Sequence, residues 1–139
     1  MRLWHYELIP YLPKSQLLAQ WRELNSIFKK QDKHILINYI YDYPKSDLLL
    51  YTHLVTKEME SRGFKINPTN YENYFDKFDV YGVIFNKNEC IPFKNHHTYR
   101  YLMQCFYNLQ EKYDRGQKDF SKELYCELED FMFEKDMLF

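Results

Sequence analysis

The sequence predicts an all-α fold, a compact single-domain helical bundle over residues 1–139, and three observations support this prediction. The length of 139 residues is enough for one hydrophobic core and short for two domains. Only 3 glycines are present, which is few for a fold built on tight hairpin turns. The chain also holds 14 Tyr, 11 Phe and 2 Trp, so it can bury enough apolar surface to offset the loss of chain entropy.

Helical spacing of apolar residues predicts two long helices in the first half of the chain. The first is predicted over residues 15–29, with Ser15 as its N-cap. Its apolar face consists of Leu17, Trp21, Leu24 and Phe28. The second is predicted to begin after Pro44 with Ser46 as its N-cap. Gly63 stands where a left-handed residue would end that helix.

The second half of the chain begins with a stretch of mixed character. Residues 64–94 are rich in Asn and aromatic residues and are predicted to be mainly loop, with a short helix near 69–78. A further helix is predicted over about 97–113, where apolar residues return to helical spacing. The last helix is predicted to begin at Ser121, with apolar residues on one face and acidic residues on the other.

Charge is distributed unevenly along the chain. The formal net charge is −1, which argues against a protein that is basic throughout and binds nucleic acid with its whole surface. Residues 1–112 carry 15 Lys and Arg against 12 Asp and Glu, whereas residues 113–139 carry 4 against 8. The acidity therefore belongs to the C-terminal helix, and the body, residues 1–112, has charge enough to present a basic face.

Cysteine and hydropathy patterns place the chain in a reducing compartment. The three cysteines, Cys90, Cys105 and Cys126, are odd in number and widely spaced, so no disulfide framework or zinc ribbon is expected. The N-terminus lacks the apolar run of a signal peptide, and no stretch approaches the length of a membrane span. A cytoplasmic protein is expected. The oligomeric state leaves no signal in the sequence.

The histidines do not form a metal-binding pattern. His5, His53 and the pair His96-His97 lie at spacings that match no common zinc motif. Neither a metal nor another cofactor is expected. A hydrolase that uses a histidine with one of the cysteines is also disfavoured, because no reactive-cysteine motif surrounds any of the three.

The adjacent charges Arg22 and Glu23 are the first candidates for a site. On a helix, Glu23 shares a face with Gln16, Ala19 and Ile27, beside the aromatic stripe. The small side chain of Ala19 leaves room next to the carboxylate. Spacing alone makes the pair an ordinary solvated helix face, which is the commoner situation for such charges.

The sequence around this pair resembles a known family, the pyrimidine-dimer DNA glycosylases of the phage endonuclease V type. The similarity runs without a gap over the first 35 residues. It rests on Leu8, Leu12, Leu17, Ala19, Arg22-Glu23-Leu24, Phe28 and Lys33-His34. Weaker similar blocks are Arg62-Gly63-Phe64 and Ile91-Pro92, and the opening Met-Arg-Leu-Trp-His resembles a little-characterised bacterial branch of the family.

This resemblance implies a bundle of helices with the N-terminal segment packed between them, and a reaction on damaged DNA. The nucleophile would be the α-amine of Met1, whose reference pKa of about 7.7–8.0 leaves a useful unprotonated fraction at neutral pH. Glu23 would be the second catalytic residue, and Arg22 would hold a phosphate or the displaced nucleotide. The remaining candidates for substrate binding are Arg2, Lys33, His34 and His5, with His5 and His34 converging on Glu23 around the N-terminus.

Several positions depart from the phage member of that family. The second residue is the bulky Arg2, so the reacting amine is assigned to Met1 rather than to a trimmed N-terminus. Ser26 and Phe106 stand where basic residues are expected, and the C-terminal tail is acidic. An alternative function is therefore a non-catalytic module that binds nucleic acid, a nucleotide or a protein on the same fold. The position of the N-terminal nitrogen relative to Glu23 discriminates between the two.

Overall fold

The computed structural model describes residues 1–67 and 91–137, and the elements in these ranges are all helical. Two 3₁₀ helices and four α-helices follow one another as 3₁₀ Tyr6–Tyr11, α1 Lys14–Lys30, 3₁₀ Asn38–Asp42, α2 Lys45–Ser61, α3 Tyr99–Asp114 and α4 Lys122–Met137. The all-α prediction is confirmed. The short helix predicted near 69–78 lies outside the described residues. Within the described ranges, no helix is both long and apolar enough to cross a membrane.

The N-caps of the first two helices differ from the prediction. Helix α1 begins after Pro13 and α2 after Pro44, so the predictions of Ser15 and Ser46 as N-caps were wrong. The backbone N–H of Ser15 instead donates to the carboxylate of Asp119, at 2.7 Å. A residue 104 positions away in the sequence thus supplies the acceptor that a capping side chain would have supplied.

The predicted C-terminus of the second helix is confirmed. Gly63 has a φ of 81°, and its N–H donates to the carbonyl of Glu60 at 3.0 Å. The N–H of Phe64 donates to the carbonyl of Met59 at 2.9 Å, which completes a Schellman motif. The start predicted for the last helix is confirmed too, because the hydroxyl of Ser121 accepts a backbone N–H three residues later.

The N-terminal segment lies in the middle of the bundle, as the family resemblance implies. Leu3, Leu8 and Leu12 are completely buried. The first 3₁₀ helix, Tyr6–Tyr11, contacts α2, α3 and α4, while α1 packs against α2. Burial of these leucines supplies much of the free energy that fixes the start of the chain in one position.

Arg62, just after α2, binds the N-terminal segment to that helix. Its guanidinium donates to the carbonyl of Leu12 at 2.7 Å, to that of Pro10 at 2.9 Å and to the carboxylate of Glu58 at 2.8 Å. The carbonyls of Pro10 and Leu12 close the first 3₁₀ helix, where acceptors remain after the last turn. Arg62 therefore acts as a charged cap on that helix.

We expect Arg62→Ala to lower the free energy of unfolding by about 2–3 kcal/mol, because it removes three hydrogen bonds from a partly buried guanidinium. The matched control is Arg115→Ala. Arg115 forms the same i,i+4 pair with Glu111, but the two side chains are 79% and 60% exposed, so a change within about 0.5 kcal/mol is expected. Urea unfolding measures both variants, and equal effects would contradict the capping role.

The acidic C-terminal helix packs against the N-terminal segment. Lys135 pairs with Glu7 at 2.6 Å, and both side chains are mostly buried. The ring of Phe131 stacks on Tyr11 with centroids 5.0 Å apart. The side of α4 that carries Phe131 and Lys135 thus faces the rest of the protein. The acidic side chains of α4 are exposed to solvent.

Candidate active site

A cleft of about 200 Å³ opens at the very start of the chain. It is lined by Met1, Arg2 and Trp4 of the N-terminal segment, Gln16, Ala19, Gln20 and Glu23 of α1, and Lys112 of α3. The face of α1 that the sequence assigned to Glu23, with Gln16 and Ala19, is the face that lines this cleft. Met1 and Glu23, the two predicted catalytic residues, are therefore brought together.

Glu23 is half-buried at the wall of the cleft. One of its carboxylate oxygens accepts a hydrogen bond from the side-chain amide of Gln20, at 3.1 Å. Burial raises the pKa of Glu23, while the positive charges of the Met1 amine and of Arg22 act to lower it. A carboxyl group in this setting can exchange a proton near neutral pH more readily than an exposed one.

The backbone next to Met1 is held by two tyrosines from the interior. Tyr101 donates its hydroxyl to the carbonyl of Leu3 at 2.5 Å, and Tyr51 donates to the carbonyl of Trp4 at 2.6 Å. Tyr51 is fully buried, and burial raises its pKa well above the ordinary value, so it stays a donor at all physiological pH. Met1 itself is 40% exposed.

Three cationic side chains surround the cleft. The guanidinium of Arg2 lies 5.7 Å from the centre of the Trp4 ring, and Lys112 reaches the cleft from α3. Arg22 is exposed and is not a lining residue, yet its charge acts on the pKa of Glu23. These cations can attract the phosphates of a nucleic acid.

His5 does not line the cleft. It is 1% exposed, its Nδ1 accepts the N–H of Glu7 at 3.1 Å, and its Nε2 donates to the carbonyl of His97 at 3.0 Å. Both ring nitrogens are thus occupied in a neutral ring. Burial, opposed by the nearby Glu7 carboxylate, lowers the pKa of His5 to about 4.

A second buried histidine, which the sequence analysis did not single out, lies against the first. The Nδ1 of His97 accepts the N–H of Tyr6 at 3.2 Å, and its Nε2 is 2.8 Å from the hydroxyl of Tyr39. Burial and the neighbouring histidines His5 and His96 lower the pKa of His97 to about 3. This pair joins the N-terminal segment to the start of α3.

Lys33 and His34 are exposed on the connection after α1 and do not line the cleft either. The Nδ1 of His34 accepts the N–H of Leu36 at 3.1 Å, which shapes a local turn. The polar pocket that was hypothesised from His5, His34 and Glu23 is therefore not formed around this cleft.

We expect acid to destabilise the protein through two buried histidines, His5 and His97. Each has a folded pKa below its ordinary 6.5, so its contribution to stability is complete above pH 6.5 and is lost as pH falls towards about 4 for His5 and about 3 for His97. At pH 5 the loss is about 2 kcal/mol for each histidine. Urea unfolding at pH 7.5 and 5.0 measures it.

The matched variants for this pH test are His5→Gln and His34→Gln. His5→Gln should bind one proton fewer on acid unfolding than His34→Gln, which is the same substitution at an exposed ring. Carboxyl groups titrate alike in both variants, so the difference between them isolates the buried imidazole. Equal pH dependence in the two would contradict the prediction.

Three residues of the cleft, Trp4, Gln20 and Lys112, were not found by sequence reasoning. Gln20 precedes Glu23 by three positions on the same helix face, a spacing that could have marked it. Lys112 comes from α3, and only the folded chain brings it to the N-terminus. In residues 1–67 and 91–137 no group of three His, Cys, Asp or Glu side chains could hold a metal ion.

Comparison with protein families identifies a family that the chain matches. The family model described as pyrimidine dimer DNA glycosylase matches residues 1–72, just over half of the chain. The matched region contains the N-terminal segment and α1, and hence every residue of the cleft except Lys112. No curated protein and no solved structure gives a significant match.

Proposed function

Because this chain belongs to the pyrimidine dimer DNA glycosylase family, we propose that it acts on damaged duplex DNA as a glycosylase and abasic-site lyase through its N-terminal amine. The family supports a glycosylase-like role on DNA. The use of a Schiff base and the lyase step are the parts that we add. They rest on the shared cleft of Met1 and Glu23.

The observation that carries the proposal is a single cleft that holds both the N-terminal residue and a half-buried carboxyl group. Met1 and Glu23 line this cleft, and the charge of the Met1 amine acts on the pKa of Glu23. An α-amine titrates about 2.5 pH units below a lysine, so it is the better nucleophile near pH 7. Hydrogen bonds to the backbone of residues 2–4 hold the start of the chain in the cleft that contains this carboxylate.

The proposed reaction uses these two groups in sequence. The lone pair of the Met1 amine attacks C1′ of the damaged nucleotide, the C1′–N bond breaks, and the base leaves with its electron pair and a proton. Opening of the sugar ring then gives a Schiff base between C1′ and the amine. Removal of a C2′ proton breaks the C3′–O bond and releases the 3′ phosphate. Glu23 stabilises the cationic intermediates and moves the protons.

The cations around the cleft are assigned to DNA binding. Arg22 and Arg2 suit bidentate contacts to phosphate, and Lys112 of α3 adds a point charge. Lys33 and His34, exposed beyond the end of α1, would contact the duplex further away. No cofactor is required for this chemistry. A location in the cytoplasm stays a prediction.

Borohydride trapping with an abasic-site duplex tests the proposal. Hydride reduces the C1′=N bond and leaves a stable covalent adduct, which a denaturing gel detects. A duplex with a pyrimidine dimer then tests the glycosylase step. We expect an adduct with both. Absence of any adduct from folded protein would favour the non-catalytic binding module, and DNA binding measured on the same samples would identify that function.

A further inference from the structure

We propose that Gln20 is the positioning residue that holds Glu23 in register with the N-terminal segment. This inference rests on the proposed function, because the register matters when the Met1 amine is the nucleophile. Gln20 is 1% exposed, which makes it one of the few polar side chains buried in the described part of the chain. Its amide lies between α1 and the extended backbone of residues 2–4.

Both N–H groups and the oxygen of the Gln20 amide are used in hydrogen bonds. Its Nε2 donates to the carbonyl of Arg2 at 3.1 Å and to the carboxylate of Glu23 at 3.1 Å. Its Oε1 accepts the N–H of Trp4 at 2.9 Å and lies 2.9 Å from the hydroxyl of Tyr51. The Tyr51 hydroxyl has one proton, which it donates to the carbonyl of Trp4, so both donors and one acceptor position of the amide are satisfied.

This pattern fixes the orientation of the amide. If the oxygen and nitrogen were exchanged, two donors would meet at the N–H of Trp4 and two acceptors at the carbonyl of Arg2. The amide therefore has one arrangement, in which its N–H must point at Glu23. The Gln20 amide thus bonds to the carbonyl of Arg2 and the N–H of Trp4, as the backbone of an adjacent β-strand would. Its second N–H donates to the carboxylate of Glu23.

The consequence is a rigid link between the two reacting groups. Arg2, whose carbonyl is bound by Gln20, is separated from the Met1 amine by a single peptide unit. Glu23 is bound by the same nitrogen. One planar amide thus constrains both the carboxylate and the backbone that leads to the amine, and an error of about 1 Å in their separation can cost 10²-fold in rate.

The link also acts on the titration of Glu23. A hydrogen bond to the ionised carboxylate favours that form, so its loss should raise the pKa of Glu23 further than burial alone raises it. The charged groups that share the cleft with Glu23 are the Met1 amine, Arg2 and Lys112, with Arg22 beside it on α1. None of these groups is itself substituted when Gln20 is replaced.

Carbon-13 NMR of Glu23 tests the inference without DNA. We expect the titration midpoint of the Glu23 carboxyl to rise by about half a pH unit in Gln20→Met and by about one unit in Gln20→Glu, which also places a like charge 3 Å away. Gln110→Glu is the control. Gln110 donates to the hydroxyl of Tyr125 outside the cleft, so Glu23 should titrate there as in wild type.

Two further readouts complete the experiment. In wild type, the amide protons of Gln20 should shift with pH at the midpoint of Glu23, which needs no variant and so does not depend on folding of a substituted protein. Adduct formation by Gln20→Met should slow by about 10- to 100-fold. The acid limb of its pH–rate profile should move to higher pH by as much as the titration midpoint of Glu23 does.

The inference and the proposed function can fail separately. Failure of wild type to form an adduct rejects the amine chemistry, while the NMR titrations still decide whether Gln20 binds Glu23. An unchanged Glu23 midpoint in folded Gln20→Met, or Gln20 amide protons that ignore the titration of Glu23, would overturn the positioning role and leave Gln20 a structural residue only.

Discussion

Acetylation of the N-terminal amine is expected to abolish the trapped adduct completely, since an amide nitrogen cannot form a Schiff base. Selective acetylation near pH 6.5 is feasible, because an α-amine has a pKa of about 7.7–8.0 and lysines of about 10.4. A second form, with two residues added before Met1, keeps an amine but displaces it by as much as about 7 Å. Its adduct formation should be slower by at least about 100-fold.

A lysine in the same cleft is the alternative nucleophile that this experiment must distinguish from the Met1 amine. Lys112 is the lysine that lines the cleft, so an adduct that survives acetylation would be assigned to it if Lys112→Arg then removed the adduct. Such a result would contradict the role of Met1. Unfolding curves of the acetylated protein and the wild type should coincide, because the Met1 side chain is 40% exposed.

The second large effect is expected for Glu23→Gln, which should slow adduct formation by about 10²- to 10⁴-fold. The substitution keeps the size of the side chain and removes the negative charge that stabilises the imine and accepts protons. Folding should be preserved, because the carboxylate is only half-buried and the neutral amide can still accept from Gln20. Single-turnover trapping on an abasic duplex measures the rate.

The control for Glu23→Gln is Glu60→Gln, the same change on the exposed surface of α2. Glu60 pairs with Lys57 at 3.6 Å, and both side chains are more than half exposed, so its loss should alter neither rate nor stability. DNA binding of Glu23→Gln should equal that of wild type or exceed it, since a negative charge is removed near the phosphates. Wild-type rates in Glu23→Gln would remove Glu23 from the mechanism.

Much of the helical framework could be predicted from local patterns. The apolar spacing around Leu24 and Leu102 located α1 and α3 to within one or two residues. Gly63 and Ser121 marked helix ends because left-handed backbone and hydroxyl capping are local requirements. The predicted cap at Ser15 failed because the acceptor for its N–H comes from Asp119, at a distance in sequence that no local pattern contains.

The candidate site shows the same division. Helical periodicity placed Gln16, Ala19 and Glu23 on one face, and this face lines the cleft. The role of His5 could not be predicted this way, because its burial and its two hydrogen bonds depend on packing against His97, 92 residues away. The resemblance to the family marked Glu23, and spacing alone would have left it an ordinary surface charge.

The sequence by itself thus determined the four α-helices, the acidic character of the last one and the helix face that carries Glu23, because each depends on residues within a few turns of one another. Only the tertiary structure decided which groups meet at the N-terminus. Burial of Leu3 pulls the first residues into the bundle, and the Gln20 amide then aligns them with α1. Those long-range contacts bring Met1 and Lys112 into one cleft with Glu23. They cannot be predicted from the spacing of neighbouring residues in the sequence.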